Sequence, residues 1–372
     1  MTAAIVGADL LDRLFVAEFP PDEGADLVKE LRAEVIAARQ AAFAALMLRV
    51  ATGGDGDLVQ VAEDALDRFL GASREQRLAV AADPAFSIWL QRAARLEGGD
   101  KVGVARMVAD FPAVFARCLE RLDRDDFGLV KPVELVRYSV DPLVAEVAPP
   151  TYTFPPAEEA QELEAKTPYS LEIFKEIARA ALRRVGLAWP ELLELFPHYV
   201  RTIVHLPYAE FRSASASRYA GVIFLTADDH SVLEVEESLV HEWAHQLLYS
   251  VMERDPIVVD GSRDDLTLPW SGARRDFYGY FHALFVYTLL LRYLERIAGR
   301  DELELQRVRE LYLHILRGAV RALPDFADDA RFTAHGLRLR QLLQAAVETR
   351  AAAWPNLMEG DSDDSDGRGS HD

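Results

Sequence analysis

The chain has one cysteine in 372 residues, Cys118. That excludes an intrachain disulfide and any cysteine-built zinc site, and it fits a reducing compartment. Positive charge is scarce too: 41 Lys and Arg against 61 Asp and Glu give a formal net charge of −20. Nucleic-acid surfaces are built from clustered Lys and Arg, so no nucleic-acid partner is expected, and a neutral or cationic peptide is the better electrostatic match. Long apolar runs are missing as well. The longest, Phe277 to Leu291, contains His282 and stops at Arg292, short of the ~20 residues a membrane span needs. Met1 to Pro21 carries Asp9 and Asp12 and no basic segment, so it does not read as a secretory signal. The expectation is a cytoplasmic protein with no membrane segment.

Apolar material is nevertheless plentiful. Hydrophobic residues make up 50% of the chain and aromatics only 9%, enough for one large domain or two ordinary ones with a sizeable core. From Leu10 to about Leu122 apolar residues recur at three- and four-residue spacing, as in Leu27, Leu31, Val35 and Ile36, with breaks at Gly53-Gly54-Asp55-Gly56 and Gly98-Gly99. This predicts an all-helical lobe over 1–130. Val133 to Val147 reads as extended, and Pro149-Pro150 and Pro155-Pro156 mark a crossing between lobes. A helix near Ser170 to Val185 and two β-branched strands, Tyr199 to Leu206 and Gly221 to Thr226, come next. Long helices follow at about Arg275 to Ala298, Asp301 to Leu323 and Arg331 to Ala353. The expected fold is α+β and predominantly α-helical, with a zincin-like His-Glu-x-x-His helix core, a small β-sheet and the helical N-terminal lobe. A domain over 131–355 carries the chemistry, and the acidic tail over 356–372 is expected to be disordered.

The chemistry sits in Ser238-Leu239-Val240-His241-Glu242-Trp243-Ala244-His245-Gln246-Leu247-Leu248. With 9 His in the chain, His-Glu-x-x-His arises by chance only about 0.02 times in a sequence of this length and composition. On a helix, residues four apart lie roughly 40° apart and one turn along the axis, so His241 and His245 share a face and can chelate one metal ion. Glu242 sits beside that face. Ser231 and Glu234 have capping-box spacing at the start of this helix, and Arg254-Asp255-Pro256 ends it. The plainer alternative is a structural histidine pair.

Two imidazoles leave a metal's coordination incomplete, so a third protein ligand should come from a neighbouring element. The metzincin continuation is absent, since Leu248 and Val251 occupy the positions of its Gly and His. Three candidates follow in sequence: His282 inside the next apolar helix, Asp276 at the start of that helix, and Glu295 near its end beside Arg296. A lone histidine on an apolar face is also a common hydrogen-bonded core residue. Arg275 lies seven residues before His282, roughly 20° away on one helical stripe and about 10.5 Å along the axis, where it could clamp a carboxylate lying beside the metal. Its alternatives are a helix-terminal charge paired with Asp276, or replacement by the neighbouring Arg274. The strand Gly221 to Thr226 could pair with an extended peptide, or serve only as a core strand.

Taken together, Gly221-Val-Ile-Phe-Leu, Leu239-Val-His-Glu-Trp-Ala-His-Gln-Leu-Leu, Pro269-Trp270 and Arg275-x-x-x-Gly279-x-x-His282 resemble one family. It is the HExxH-type peptide modification proteins of bacterial ribosomal-peptide gene clusters, which are iron and 2-oxoglutarate dependent peptide β-hydroxylases. The resemblance covers Tyr199 to Leu294. It implies Fe(II) on His241, His245 and His282, and 2-oxoglutarate chelating the iron with its distal carboxylate on Arg275. It further implies O2 as co-substrate, and hydroxylation of a Cβ in a precursor peptide with release of succinate and carbon dioxide. Glu242 would then orient the substrate or support the ligands, and the N-terminal lobe could contact a leader peptide. The competing expectation is a zinc metallopeptidase in which Glu242 is the general base and Tyr278 or Tyr280 stabilises the oxyanion.

Overall fold

Three- and four-residue apolar spacing dominates the sequence, and helices dominate the fold. The computed structural model describes residues 21–53, 56–96, 100–138, 171–206, 212–226, 231–254, 256–259, 266–299, 302–355 and 357, with 159, 161, 162 and 165 besides. The fold is α+β and predominantly helical. The first 20 residues, residues 139–147 of the extended stretch expected over 133–147, the proline crossing expected at 149–156, and the acidic tail expected over 356–372, apart from residue 357, lie outside the described residues.

Five helices open the described chain: α1 (Pro21–Gly53), α2 (Gly56–Gly71), α3 (Arg74–Ala82), α4 (Pro84–Leu96) and α5 (Lys101–Glu120). Two of their starts are fixed by side chains. Ser73 and Gln76 form a reciprocal capping box on α3, and Asp100 accepts the Gly103 N–H at the head of α5, each satisfying amides that the first turn leaves unpaired. Their interior is aromatic. Phe43 lies 4.6 to 5.9 Å, centroid to centroid, from Phe69, Phe86, Trp89 and Phe111.

A four-stranded sheet separates this lobe from the rest. Its strands are β1 (Glu134–Arg137), β2 (Thr202–His205), β3 (Ser213–Ala214) and β4 (Val222–Leu225). In space they run β1-β2-β4-β3, with β1-β2 and β2-β4 parallel and β4-β3 antiparallel. Successive side chains on a strand point to opposite faces, and both faces are covered. Val204, Val222 and Phe224 complete the apolar cluster of the N-terminal helices, while Ile203, Ile223 and Leu225 belong to the larger cluster on the other side. That is why β2 and β4 read as unbroken apolar runs rather than alternating ones. It also means that the N-terminal cluster is closed by residues beyond position 200 and does not end at the lobe expected over 1–130.

The larger cluster is built by α6 (Leu171–Ala188), α7 (Pro190–Tyr199), α8 (Val232–Arg254), α9 (Phe277–Ile297), α10 (Glu302–Ala322) and α11 (Ala334–Ala352). A two-stranded ribbon, β5 (Leu266–Thr267) and β6 (Arg274–Arg275), precedes α9. Ion pairs join the two sides. Arg39 of α1, 3% exposed, makes two 2.7 Å bonds to Glu253 at the end of α8. Arg121, the C-cap of α5, reaches across to Glu134 of β1 and to Thr202 of β2. One stretch of the described residues, Lys29–Thr52 in α1, is long and apolar enough to cross a membrane. It contributes Leu31, Ile36, Phe43, Leu46, Met47 and Val50 to the two cores.

Candidate metal centre

The helix α8 carries the His-Glu-x-x-His motif, and its placement follows from local chemistry. Ser231 and Glu234 cap it as the sequence predicts, the Ser231 N–H donating to Glu234 Oε2 at 2.6 Å and the Glu234 N–H to Ser231 Oγ at 3.3 Å. Its middle is tied to the sheet by Gln246, buried next to His245. The Gly221 N–H donates to Gln246 Oε1 at 2.7 Å, and Gln246 Nε2 donates to the Val222 carbonyl at 2.9 Å. Gly221 has φ +89°, a conformation open to glycine and strained for other residues.

From Val235 to Val251, every α8 residue is buried except His241, His245 and Tyr249. These three stand at i, i+4 and i+8, one stripe of the helix. The pair thus lies on the one line of this stretch that is not fully covered, where a ligand can reach it. His241 Nε2 and His245 Nε2 face each other at 3.2 Å. Two nitrogens about 2.1 Å from one cation and 3.2 Å from each other subtend about 100° at it, between tetrahedral and octahedral values.

The third histidine comes from α9. His282 is 4% exposed, with its ring 5.7 Å from that of His245 and nearly parallel to it at 21°. Tyr249 and Tyr278 pack on it at 5.0 and 4.5 Å. The sequence expectation that His282 meets the motif pair is therefore met in position, but its ring nitrogens are aimed elsewhere. Nδ1 faces His245 Nδ1 at 3.4 Å, whereas His241 meets the Nε2 of that ring, and His282 Nε2 faces Met252 Sδ at 3.1 Å. Among the described residues no set of three or more His, Cys, Asp or Glu stands in metal-holding geometry. A three-imidazole centre requires the His282 ring to turn toward the other two.

Electrostatics favour ligand-ready imidazoles. Burial pushes His241 and His282 well below the ordinary histidine value, with His245 adding to both and Arg212 to His241; burial alone takes His245 to about 4. All three are neutral at pH 7, the form that binds metal. Glu242 goes the other way. It is 2% exposed, and burial lifts its carboxyl to about 7, against the opposing pull of Ser215, Ser213 and Arg212. Although those hydroxyls face it, Glu242 Oε2 and Ser215 Oγ have no partner in full hydrogen-bond geometry. Orphaned buried polar atoms beside the motif mark a place that a further group would complete.

The other carboxylates proposed from sequence are otherwise engaged. Asp276 is the N-cap of α9 and accepts the Gly279 N–H at 2.7 Å. Glu295 is held by Arg350, at 2.8 and 3.0 Å, and by Tyr312 at 2.9 Å. It borders a cavity of about 710 Å³ shared with Arg309 and Trp354. That cavity is at the far end of α9 from His282, 13 residues or about 20 Å along the axis.

Arg275 does not share a helical stripe with His282. Because Asp276 caps the helix, α9 starts at Phe277, and Arg275 is an exposed β6 residue with Nη1 on the Arg274 carbonyl at 3.0 Å. Its stem crosses the first turn of α9 at Gly279, where a Cβ would lie 3.3 Å from Arg275 Cδ. Two further expectations change. Tyr280 donates to Asp325 at 2.7 Å rather than facing the histidines. The strand β4 is paired on both sides, so it has no free edge for a peptide; β3 occupies the position next to it.

Sequence reasoning missed Arg212. It stands just before β3 and pairs with Glu237, one turn before His241, at 2.8 Å. Tyr287 was missed too. Its ring meets His241 at 5.5 Å and is backed by Trp270 at 4.6 Å. The only sequence signal for Tyr287 was its place five residues after His282 on the same helix. Arg212 had none, because β3 reaches α8 through a pairing with β4.

No protein-family model matches the chain, and no curated protein matches it.

Proposed function

We propose that the protein is an iron and 2-oxoglutarate dependent hydroxylase acting on a peptide, with His241, His245 and His282 as the metal ligands. One observation carries this reading. The next helix brings a histidine, not a carboxylate, against the motif pair, while Asp276 and Glu295 are held by other partners. A gluzincin peptidase would place a glutamate there, and a metzincin would take its third histidine from the motif's own continuation. Iron with 2-oxoglutarate and O2, when bound, supplies the oxidation that converts a C–H to a C–OH as 2-oxoglutarate becomes succinate and carbon dioxide.

The chain's own residues do the rest. The neutral imidazoles present lone pairs without first releasing protons. Tyr249 and Tyr278 pack on the His282 ring, and Trp270 braces Tyr287 against His241. Glu242, at about 7, is partly protonated near neutral pH, so its free Oε2 can accept or donate one hydrogen bond to a substrate amide. The test is anaerobic loading with Fe(II), then addition of 2-oxoglutarate and O2 with succinate as the readout. One succinate per 2-oxoglutarate consumed supports the reading; no succinate from the iron-loaded protein contradicts it.

A second reading is favoured by one observation, the same carboxyl at about 7. That value suits a general base acting on a metal-bound water, as in a zinc peptidase. Zn(II)-dependent cleavage of a mixed peptide pool, abolished in Glu242→Gln, would establish it.

A further inference from the structure

A divalent ion on three neutral imidazoles leaves a site of net positive charge, and the anions it takes need a second anchor. Arg212 is placed to be that anchor. Its carbonyl accepts the Thr226 N–H at 3.1 Å, which fixes the backbone at the start of β3. Its Nη2 lies 2.8 Å from Glu237 Oε1, and Glu237 is only 7% exposed. Glu237 and His241 are four apart on α8, so their Cβ atoms are about 5–6 Å from each other on one face. The guanidinium is thus pinned, by a buried carboxylate, one helical turn from the first motif histidine. Its charge is felt at His241, Glu242 and Tyr287, three residues around the stripe. Glu237 is its one ion-pair partner among the described residues, and a guanidinium carries five N–H donors. Ser213 of β3 and Ser215 just after it both act on the Glu242 carboxyl.

We propose that Arg212 is the carboxylate-binding residue of this site. The proposal rests on the metal-centre reading and adds the residue that holds the anion, a role the sequence assigned to Arg275. Geometry favours the replacement: Arg275 is exposed, off the helix and turned to the carbonyl of its neighbour, whereas Arg212 is one-third exposed and anchored. Arginine suits the task because its planar fork meets a carboxylate through two parallel hydrogen bonds. The carboxylate has two sources, the distal end of 2-oxoglutarate and an acidic side chain of the peptide.

The bland role for Arg212 is to neutralise Glu237 alone, so the test removes both charges together. Arg212→Gln/Glu237→Gln keeps a hydrogen-bonded neutral pair, and Arg275→Gln is the comparison. Each full-length protein is loaded with Mn(II), and binding of 2-oxoglutarate, pyruvate and N-acetyl-aspartate methylamide is measured by calorimetry. Pyruvate keeps the 2-oxo acid that chelates a metal and lacks the distal carboxylate. In the double variant 2-oxoglutarate should bind about ten- to a hundredfold more weakly, with pyruvate and Mn(II) affinity unchanged; this places the co-substrate on Arg212. Weakening confined to the aspartate probe also supports the proposal and places the peptide there instead. Unchanged binding of both, or the loss appearing in Arg275→Gln, overturns it. A wild-type protein that binds Mn(II) but none of the three ligands overturns it as well. One that binds no metal removes the metal-centre reading before any arginine is at issue.

Discussion

Gln246, directly after the second motif histidine, accepts the N–H of Gly221 and donates to the carbonyl of Val222. One side chain thereby fixes the height of α8 over β4, and with it the height of His241 and His245 relative to β3 and Arg212. Replacing it strands a buried donor and a buried acceptor of the main chain. Gln246→Ala should cost about 2–4 kcal/mol of stability, measured by urea unfolding, and should weaken metal binding although no ligand is removed. Gln246→Glu keeps the acceptor for Gly221 and should recover part of both. Wild-type stability in Gln246→Ala would show that the helix is held elsewhere.

Gly318 of α10 makes room for Trp270. A Cβ there would lie 2.2 Å from Trp270 Nε1, and the indole is already committed to the Ile315 carbonyl at 2.9 Å. In an unobstructed helix, Gly→Ala stabilises by up to ~1 kcal/mol. Here the overpacking should reverse the sign, with Gly318→Ala destabilising by about 1–3 kcal/mol. The displaced indole should loosen Tyr287 against His241, and a shifted tryptophan emission would report it. Stabilisation on mutation would refute this packing.

His205 of β2 stacks on Phe174 at 4.4 Å, and its Nε2 is without a partner. Burial, with Arg137 adding to it, lowers its value to about 4, against about 6.5 in an unfolded chain. The unfolded state therefore takes up the proton first as pH falls. Stability due to the neutral ring is fully present above about pH 6.5 and is lost progressively toward pH 4, by roughly 3 kcal/mol. Unfolding free energies at pH 7 and pH 4.5 should differ less for His205→Leu than for the wild type by about that amount. Parallel pH dependences would contradict the assignment.

Arg39 and Glu253 join α1 to the end of α8. Glu253 is itself partly exposed, so Glu253→Gln, which leaves a guanidinium that is 3% exposed without its counter-charge, should cost about 1–2 kcal/mol. Arg39→Met/Glu253→Met removes both charges and should be close to neutral by comparison. If the single and double variants are equally unstable, packing rather than the ion pair holds α1 in place.

Much of this was legible in the residues because it is local. The capping pair Ser231 and Glu234, the apolar spacing of α8 and α9 and the β-branched runs of β2 and β4 are patterns within a few positions of one another. They placed His241, His245 and His282 on neighbouring helices. Arg275 was misplaced for a local reason as well. Asp276 three residues before Gly279 is an N-cap, and a helix that starts after it cannot carry Arg275 on its stripe. What sequence could not give is long-range. The two-residue β3 exists only through its pairing with β4, and that pairing both buries the edge once offered to a peptide and brings Arg212 and the two serines to α8. The short α7, opened by Pro190 and holding Pro197 in its last turn, was hidden by residues that ordinarily break helices.

The account stands on three imidazoles sharing one ion, and Fe(II) titration under anaerobic conditions tests it most directly. The wild-type chain should bind one equivalent, and His282→Ala, if folded to the same helix content, should bind at least a hundredfold more weakly, about the loss expected for a missing ligand. One equivalent bound by His282→Ala with undiminished affinity would contradict it, leaving His282 as a packed neighbour of Tyr249 and Tyr278.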